Sequence, residues 1–235
     1  MSSRPENTFA NTTLEALIES DGQINHLKDS AFSKRASDES FARATAGLES
    51  NGFKVTVAEN KDEAFEKLKT LIPAGVSLNV AHSTTLEEIG FINYLMGETP
   101  YDNVRSTILA EKDLGKQAEL RRTIGTTVDY FLTSMASVTE SGEMAHGDFS
   151  GSKVGGVAFG AKNVIVVVGS NKIVKDEAEA LKRMHDYCVP ASSAFTREVF
   201  KAPATTLNHY EVIRKANPFN PNRIQVLFIK ESLGF

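Results

Sequence analysis

Four short stretches carry residue types that can do chemistry. The turn TESGE sets Glu140 and Glu143 beside Gly142. A carboxylate presented on a tight turn at a cleft serves as nucleophile or general base once burial raises its pKa, and Glu140 is the better catalytic candidate of the two. Two solvated turn glutamates satisfy the same pattern. The loop 81–85 joins a strand to a helix start, where Ser83, Thr84 and Thr85 either cap the helix or turn their N–H and O–H groups toward a phosphate or carboxylate. In GDFSGSKVGG, Asp148, Gly151 and Ser152, followed by Lys153, form either a glycine turn or a second ligand loop. After the most apolar run of the chain come Gly169, Ser170, Asn171 and Lys172. Asn171 can donate hydrogen bonds there and Lys172 can neutralise an anion, and a lysine on a loop is not expected in the core.

Other chemistries lack their signatures. His26, His82, His146, His185 and His209 show no HExxH or Cys/His spacing, so no metal site is expected, although folding can bring His82 and His146 together near Asp148. There is no Walker loop, no GxGxxG after a strand and no GxSxG elbow, which leaves nucleotide binding and serine hydrolysis unsupported and no cofactor indicated. The single cysteine, Cys188, excludes an internal disulfide and a cluster held by this chain alone, and it reads as a packed thiol.

The elements that must position these residues alternate. FKVTVAE and VSLNVA are short β-branched runs, each followed by a helical pattern: DEAFEKLKTLI, with Ala64, Phe65, Leu68 and Leu71 on one face, then HSTTLEEIGFINYLM, with Leu86, Ile89, Ile92 and Leu95 buried and Thr84 and Glu87 at capping-box spacing. A helix is predicted over LGKQAELRRTIG and a strand over DYFLTSMASVT, with a glycine-rich turn region over 140–156. KNVIVVVG is a continuous β-branched run, expected of a central strand covered on both faces. Asp176 and Glu179 can cap a helix DEAEALKRMHDYC that stops before Pro190. The stretch 190–222, with four prolines, is expected to be irregular, and RIQVLFI to close the fold as a strand. The order predicts an α/β fold, an open and mostly parallel sheet with helices on both faces and ligands at the carboxyl ends of its strands. Residues 1–50 form an N-terminal helical arm and 51–235 the α/β domain in this reading.

Taken together, AHSTTLEEIG, the segment from DYFLTSMASVT to GDFSGSKVGG, and VIVVVGSNKIVKDEAEALKRM resemble the lactate-utilization (LUD) domain family, as does the ending RIQVLFIKESLGF. The likeness covers about residues 30–235 and is most specific over 129–183. It implies a fold related to ribose-phosphate isomerase, CoA transferases and formyltetrahydrofolate cyclo-ligase, and a role in using L-lactate or a similar hydroxy acid. The related CoA transferases carry a catalytic glutamate in a context similar to that of Glu140. Two departures matter. Many bacterial members have a cysteine-rich stretch where residues 191–221 contain none, and His82 stands where relatives commonly have glycine.

Composition sets the remaining bounds. The 235 residues are 41% hydrophobic and 24% charged with a net charge of -4, an ordinary globular balance with no basic field for nucleic acid. The start has no apolar run of signal-peptide or membrane-spanning length, so a cytoplasmic location without membrane attachment is expected. The function expected is binding of a small anionic metabolite, a hydroxy acid or its phosphate or thioester relative, in a cleft of strand-end loops. Two alternatives stand beside it. One is an isomerase or acyl/CoA-transferase-like enzyme using Glu140. The other is a non-catalytic subunit docking to an oxidase or iron–sulfur partner through the arm and the 190–222 segment, and a homo-oligomer is a further partner expectation.

Overall fold

The computed structural model describes residues 12–235. Among the described residues ten strands form two sheets. The larger holds β1 (Lys54–Ala58), β2 (Ser77–Val80), β3 (Asp102–Asn103), β4 (Tyr130–Thr133), β7 (Asn163–Gly169) and β10 (Ile224–Ile229) in the order β1-β10-β7-β4-β2-β3, every neighbouring pair parallel. The smaller joins β5 (Ser137–Thr139), β6 (Met144–Asp148), β8 (Ile173–Val174) and β9 (His209–Ile213) in the order β8-β5-β6-β9, with β5–β6 and β6–β9 antiparallel.

The run Val164–Val168 explains the layering. All five residues are fully buried, and they alternate between two cores as a strand's two-residue period demands. Val164, Val166 and Val168 join Phe131, Phe228 and the helix α2 (Asp38–Ser50), whose Phe41 stacks on Phe228 at 4.3 Å. Ile165 and Val167 face the opposite way, onto α3 (Lys61–Leu71), α4 (Thr84–Glu88) and α5 (Phe91–Met96). A third core joins α1 (Leu14–Ser20) to α10 (Val189–Phe200) through Leu17, Ala191 and Phe195. Two further helices, α6 (Val104–Ala110) and α7 (Leu114–Thr123), follow β3, while α8 (Ser152–Gly155) and α9 (Glu177–Arg183) follow β6 and β8.

Five sequence expectations change in detail. DYFLTSMASVT is two strands in different sheets, because the chain turns at Ser134–Met135–Ala136 between β4 and β5. The second predicted helix is α4 and α5, broken at Gly90, whose φ of 80° lies in the left-handed region that favours glycine. The region 140–156 contains β6 as well as turns. The 190–222 stretch holds α10 and β9, and the helix capped by Asp176 does not stop before Pro190. Between α9 and α10 runs a π turn, Met184–Cys188, with Val189 N–H bonded to the Met184 carbonyl. Pro190 has no N–H to give the preceding turn and its ring crowds the carbonyl four residues back, so the wider turn just upstream lets the helical path continue.

Candidate functional site

The carboxyl ends of β2, β4 and β6 face α6, α7 and α10 across a cavity of about 560 Å³. Its walls carry Arg105 and Arg121 on one side, Asp148 and Ser152 on another, and Phe131, Phe195 and Phe200 between them. A recess of about 90 Å³ shares His82, Gly147, Lys153 and Ser192 with this cavity and extends to Ser83, Thr84, Ser134, His146, Lys172 and Cys188. Strand ends supply His82, Ser83, Ser134, Gly147 and Asp148, the position at which open α/β sheets hold ligands.

Lys172 is 1% exposed, contrary to the expectation of a loop lysine outside the core. It belongs to a single helical turn, Ser170–Lys172, that directs its side chain back over the sheet. Its Nζ donates to Thr85 Oγ1 at 2.8 Å, to Ser134 Oγ at 3.0 Å and to the Phe235 main-chain oxygen at 3.2 Å. Burial, with Arg183 nearby, lowers its pKa from 10.5 to about 7. Lys153 also lines the recess, and its pKa is lowered by burial, against the pull of Asp148. Among the described residues no aspartate or glutamate forms an ion pair with either lysine, and the Lys153 ammonium makes no hydrogen bond. Two lysines with no close ion pair therefore share one recess, an arrangement that an anionic ligand stabilises by favouring their charged forms.

The histidines of the recess are held neutral. Burial, reinforced by Arg105 and Lys153, lowers the His82 pKa to about 3. Its ring lies 3.8 Å from that of Phe195, and its Nε2 is 3.6 Å from Glu87 Oε1. Glu87 is pushed up to about 7 by burial, although Thr12 donates a hydrogen bond to it. His146, 1% exposed, has Nε2 2.6 Å from Glu211 Oε2, and burial lowers its pKa despite that partner.

The sequence candidates divide. Ser83, Thr84 and Lys172 line the recess, and Asp148 and Ser152 the outer cavity. Ser83 is the N-cap of α4, accepting from Leu86 N–H at 3.2 Å, one residue before the expected capping position. Thr85 stands behind the recess as the hydrogen-bond partner of Lys172. Asp148 Oδ2 accepts the Lys153 N–H at 2.6 Å and so fixes the turn that carries Lys153. Asn171, Gly169 and Gly151 lie outside the lining. Asn171 Nδ2 donates to Gly234 O at 2.8 Å and its Oδ1 accepts from Leu233 N–H at 3.0 Å, which ties down the segment after β10. At Gly169 a Cβ would come within 2.7 Å of Leu233 N, so the glycine permits that close approach. Gly151 has a φ of 83° and supplies the sharp turn before α8.

Glu140 is not brought to this group. Its carboxylate accepts from Arg43 Nε at 2.8 Å, Arg43 Nη2 at 2.7 Å and Ser40 Oγ at 2.6 Å on α2. These bonds, Arg43 first, lower its pKa to about 2. A carboxylate so occupied is a weak base, and the turn is anchored to α2 instead of opening on the cavity. Glu143 is likewise engaged locally, with Ser141 Oγ donating to it at 2.6 Å.

Arg105, Arg121 and Ser134 were not singled out in sequence as ligand groups, whereas Lys153 was named in the GDFSGSK loop and His146 as a companion of His82, with which it shares the recess. Lys153 was legible beside Ser152 in GDFSGSK, whereas Arg105 and Arg121 sit on α6 and α7 with no local signal. The described residues include no group of three or more His, Cys, Asp or Glu side chains able to hold a metal ion.

The family model for the LUD domain matches residues 41–229, spanning both sheets and the recess. This chain belongs to the LUD domain family. The LUD match begins within α2, consistent with the contribution of that helix to the sheet's core. A solved structure of a DUF162 family protein from Deinococcus radiodurans is similar at 13% identity, over 83% of this LUD chain and 99% of that chain, with a TM-score of 0.47. No curated protein matches the chain. No helix among the described residues is long and apolar enough to cross a membrane.

Proposed function

We propose that this LUD protein binds a small carboxylate-bearing metabolite, of which L-lactate is the model, with the carboxylate in the recess between Lys153 and Lys172. The observation that carries the reading is a pair of lysines, Lys172 buried and Lys153 half-buried, neither ion-paired to an aspartate or glutamate, on one small cavity. The three hydroxyls Ser83, Thr84 and Ser134 supply further polar contacts, and the larger cavity, with Arg105 and Arg121 among aromatic rings, has room for a phosphate or thioester extension. Glu140 has no part in this reading.

The pH dependence follows from Lys172. Between about 7 and 10.5 the unfolded chain holds more protons on this lysine than the folded one, so its contribution to folding stability rises with pH across that window. Anion binding runs the other way, because the ligand requires the charged form that is lost above about 7. Titration calorimetry with L-lactate, 3-phosphoglycerate and acetyl-CoA, near pH 6 and near pH 9, tests this. At least one should bind, and its affinity should fall about tenfold or more at the higher pH. No binding by any of them at either pH contradicts the proposal.

A further inference from the structure

The recess also contains a carboxylate–histidine pair that anion binding alone does not use. His146 lies on β6 and Glu211 opposite it on β9, as register partners in the antiparallel ladder. With Nε2 2.6 Å from a Glu211 oxygen, the ring is fixed with Nε2 as the donor, which leaves a lone pair on Nδ1. That Nδ1 is buried and has no hydrogen-bond partner among the described residues. The ring lines the same recess as the unbonded ammonium of Lys153. A buried acceptor left unsatisfied costs about 1–3 kcal/mol, and a ligand that brings a donor removes that cost.

We propose that His146, oriented by Glu211, is the proton acceptor of the site, its Nδ1 taking the proton of a hydroxyl that the ligand carries on the carbon next to the carboxylate. The inference rests on the anion site described above, and it adds acid–base chemistry to it. In the step, the ligand O–H bond breaks and an Nδ1–H bond forms. The electron pair stays on the ligand oxygen, so nothing is oxidised or reduced, and the positive charge gained by the ring faces the Glu211 carboxylate. The other charged or titratable groups around the ring are Asp148 at the end of its own strand, Lys153 after it, and His82, Lys172 and Cys188 across the recess. Burial keeps the free ring neutral, as a base must be. Glu211 acts through the ring and is a positioning residue.

Two measurements test this. Nitrogen NMR of histidine-labelled wild-type protein should show His146 protonated at Nε2 and bare at Nδ1, with the Nδ1 signal shifting when L-lactate is added. Calorimetry should show L-lactate binding about tenfold or more tighter than 2-fluoropropanoate, which has the carboxylate and nearly the same shape but no hydrogen to donate. His146→Asn should abolish that preference, so that the two acids bind alike, and Glu211→Gln should shift the pH midpoint of L-lactate binding. A protonated Nδ1 in the free protein, or equal affinity of wild type for the two acids, overturns the assignment of His146 and leaves the anion site standing. Failure of both acids to bind overturns the assignment of His146, and the anion site with it if 3-phosphoglycerate and acetyl-CoA also fail to bind. Should His146→Asn fail to fold, the NMR result and the wild-type comparison still decide.

Discussion

Gly142→Ala should be among the most damaging single-methyl additions to this fold, destabilising it by about 3 kcal/mol or more. Gly142 has a φ of 88°, and a Cβ built there would lie 2.1 Å from the Gly47 carbonyl carbon and 2.3 Å from Leu48 N. Gly47 shows the reciprocal constraint, with its Cβ 2.6 Å from the Ser141 carbonyl carbon. The backbone of α2 and the β5–β6 turn thus touch directly, and neither can swing away like the end of a flexible side chain. The left-handed conformation costs an alanine about 1–2 kcal/mol, and overpacking about 1–3 more. For a chain of this size, about 3 kcal/mol lowers Tm by roughly 6–12 °C. Gly75→Ala is the control. Its φ is 79° but nothing lies within 4 Å of the added methyl, so it carries the backbone cost alone. Thermal melts of both variants check the account, and equal losses would mean that the contact between α2 and the turn is not what holds the two sheets together.

The largest expected effect on binding comes from Lys153→Met. Removing a charge-assisted contact with a buried anion weakens it by about 1.5–3 kcal/mol, roughly 10- to 100-fold in dissociation constant. The fold should not suffer. Burial already disfavours the Lys153 charge, its ammonium bonds to nothing in the described residues, and methionine keeps the apolar stem. Melting temperature should therefore stay level or rise while L-lactate affinity falls. Lys172→Met is a less clean test, because it also strips the donor shared by Thr85, Ser134 and Phe235.

What the sequence made legible follows from how local each cause is. The alternation of β-branched runs and helices specified the parallel sheet, and Asp176 capped α9 by accepting from Glu179 N–H at 2.9 Å, as its spacing predicted. Ser83, Thr84, Asp148, Ser152 and Lys172 were found as candidates because strand ends and glycine turns mark ligand loops without knowledge of long-range packing. Glu140 was misleading for the converse reason. Its TESGE context describes the turn, but its chemistry is set by Arg43, 97 residues earlier in sequence. The burial of Lys172 and the pairing of His146 with Glu211, 65 residues apart, are likewise products of tertiary packing. Pro190 signalled a helix end that the π turn removed.

The claim that an anion sits between Lys153 and Lys172 is tested most directly by following backbone amide resonances while L-lactate is added to isotope-labelled protein. The account predicts saturable shifts concentrated at Ser83, Thr84, Ser134, Gly147, Lys153 and Lys172, with the turn around Glu140 unmoved. Shifts clustered at Glu140 and Arg43, or none at the recess up to millimolar ligand, would contradict it.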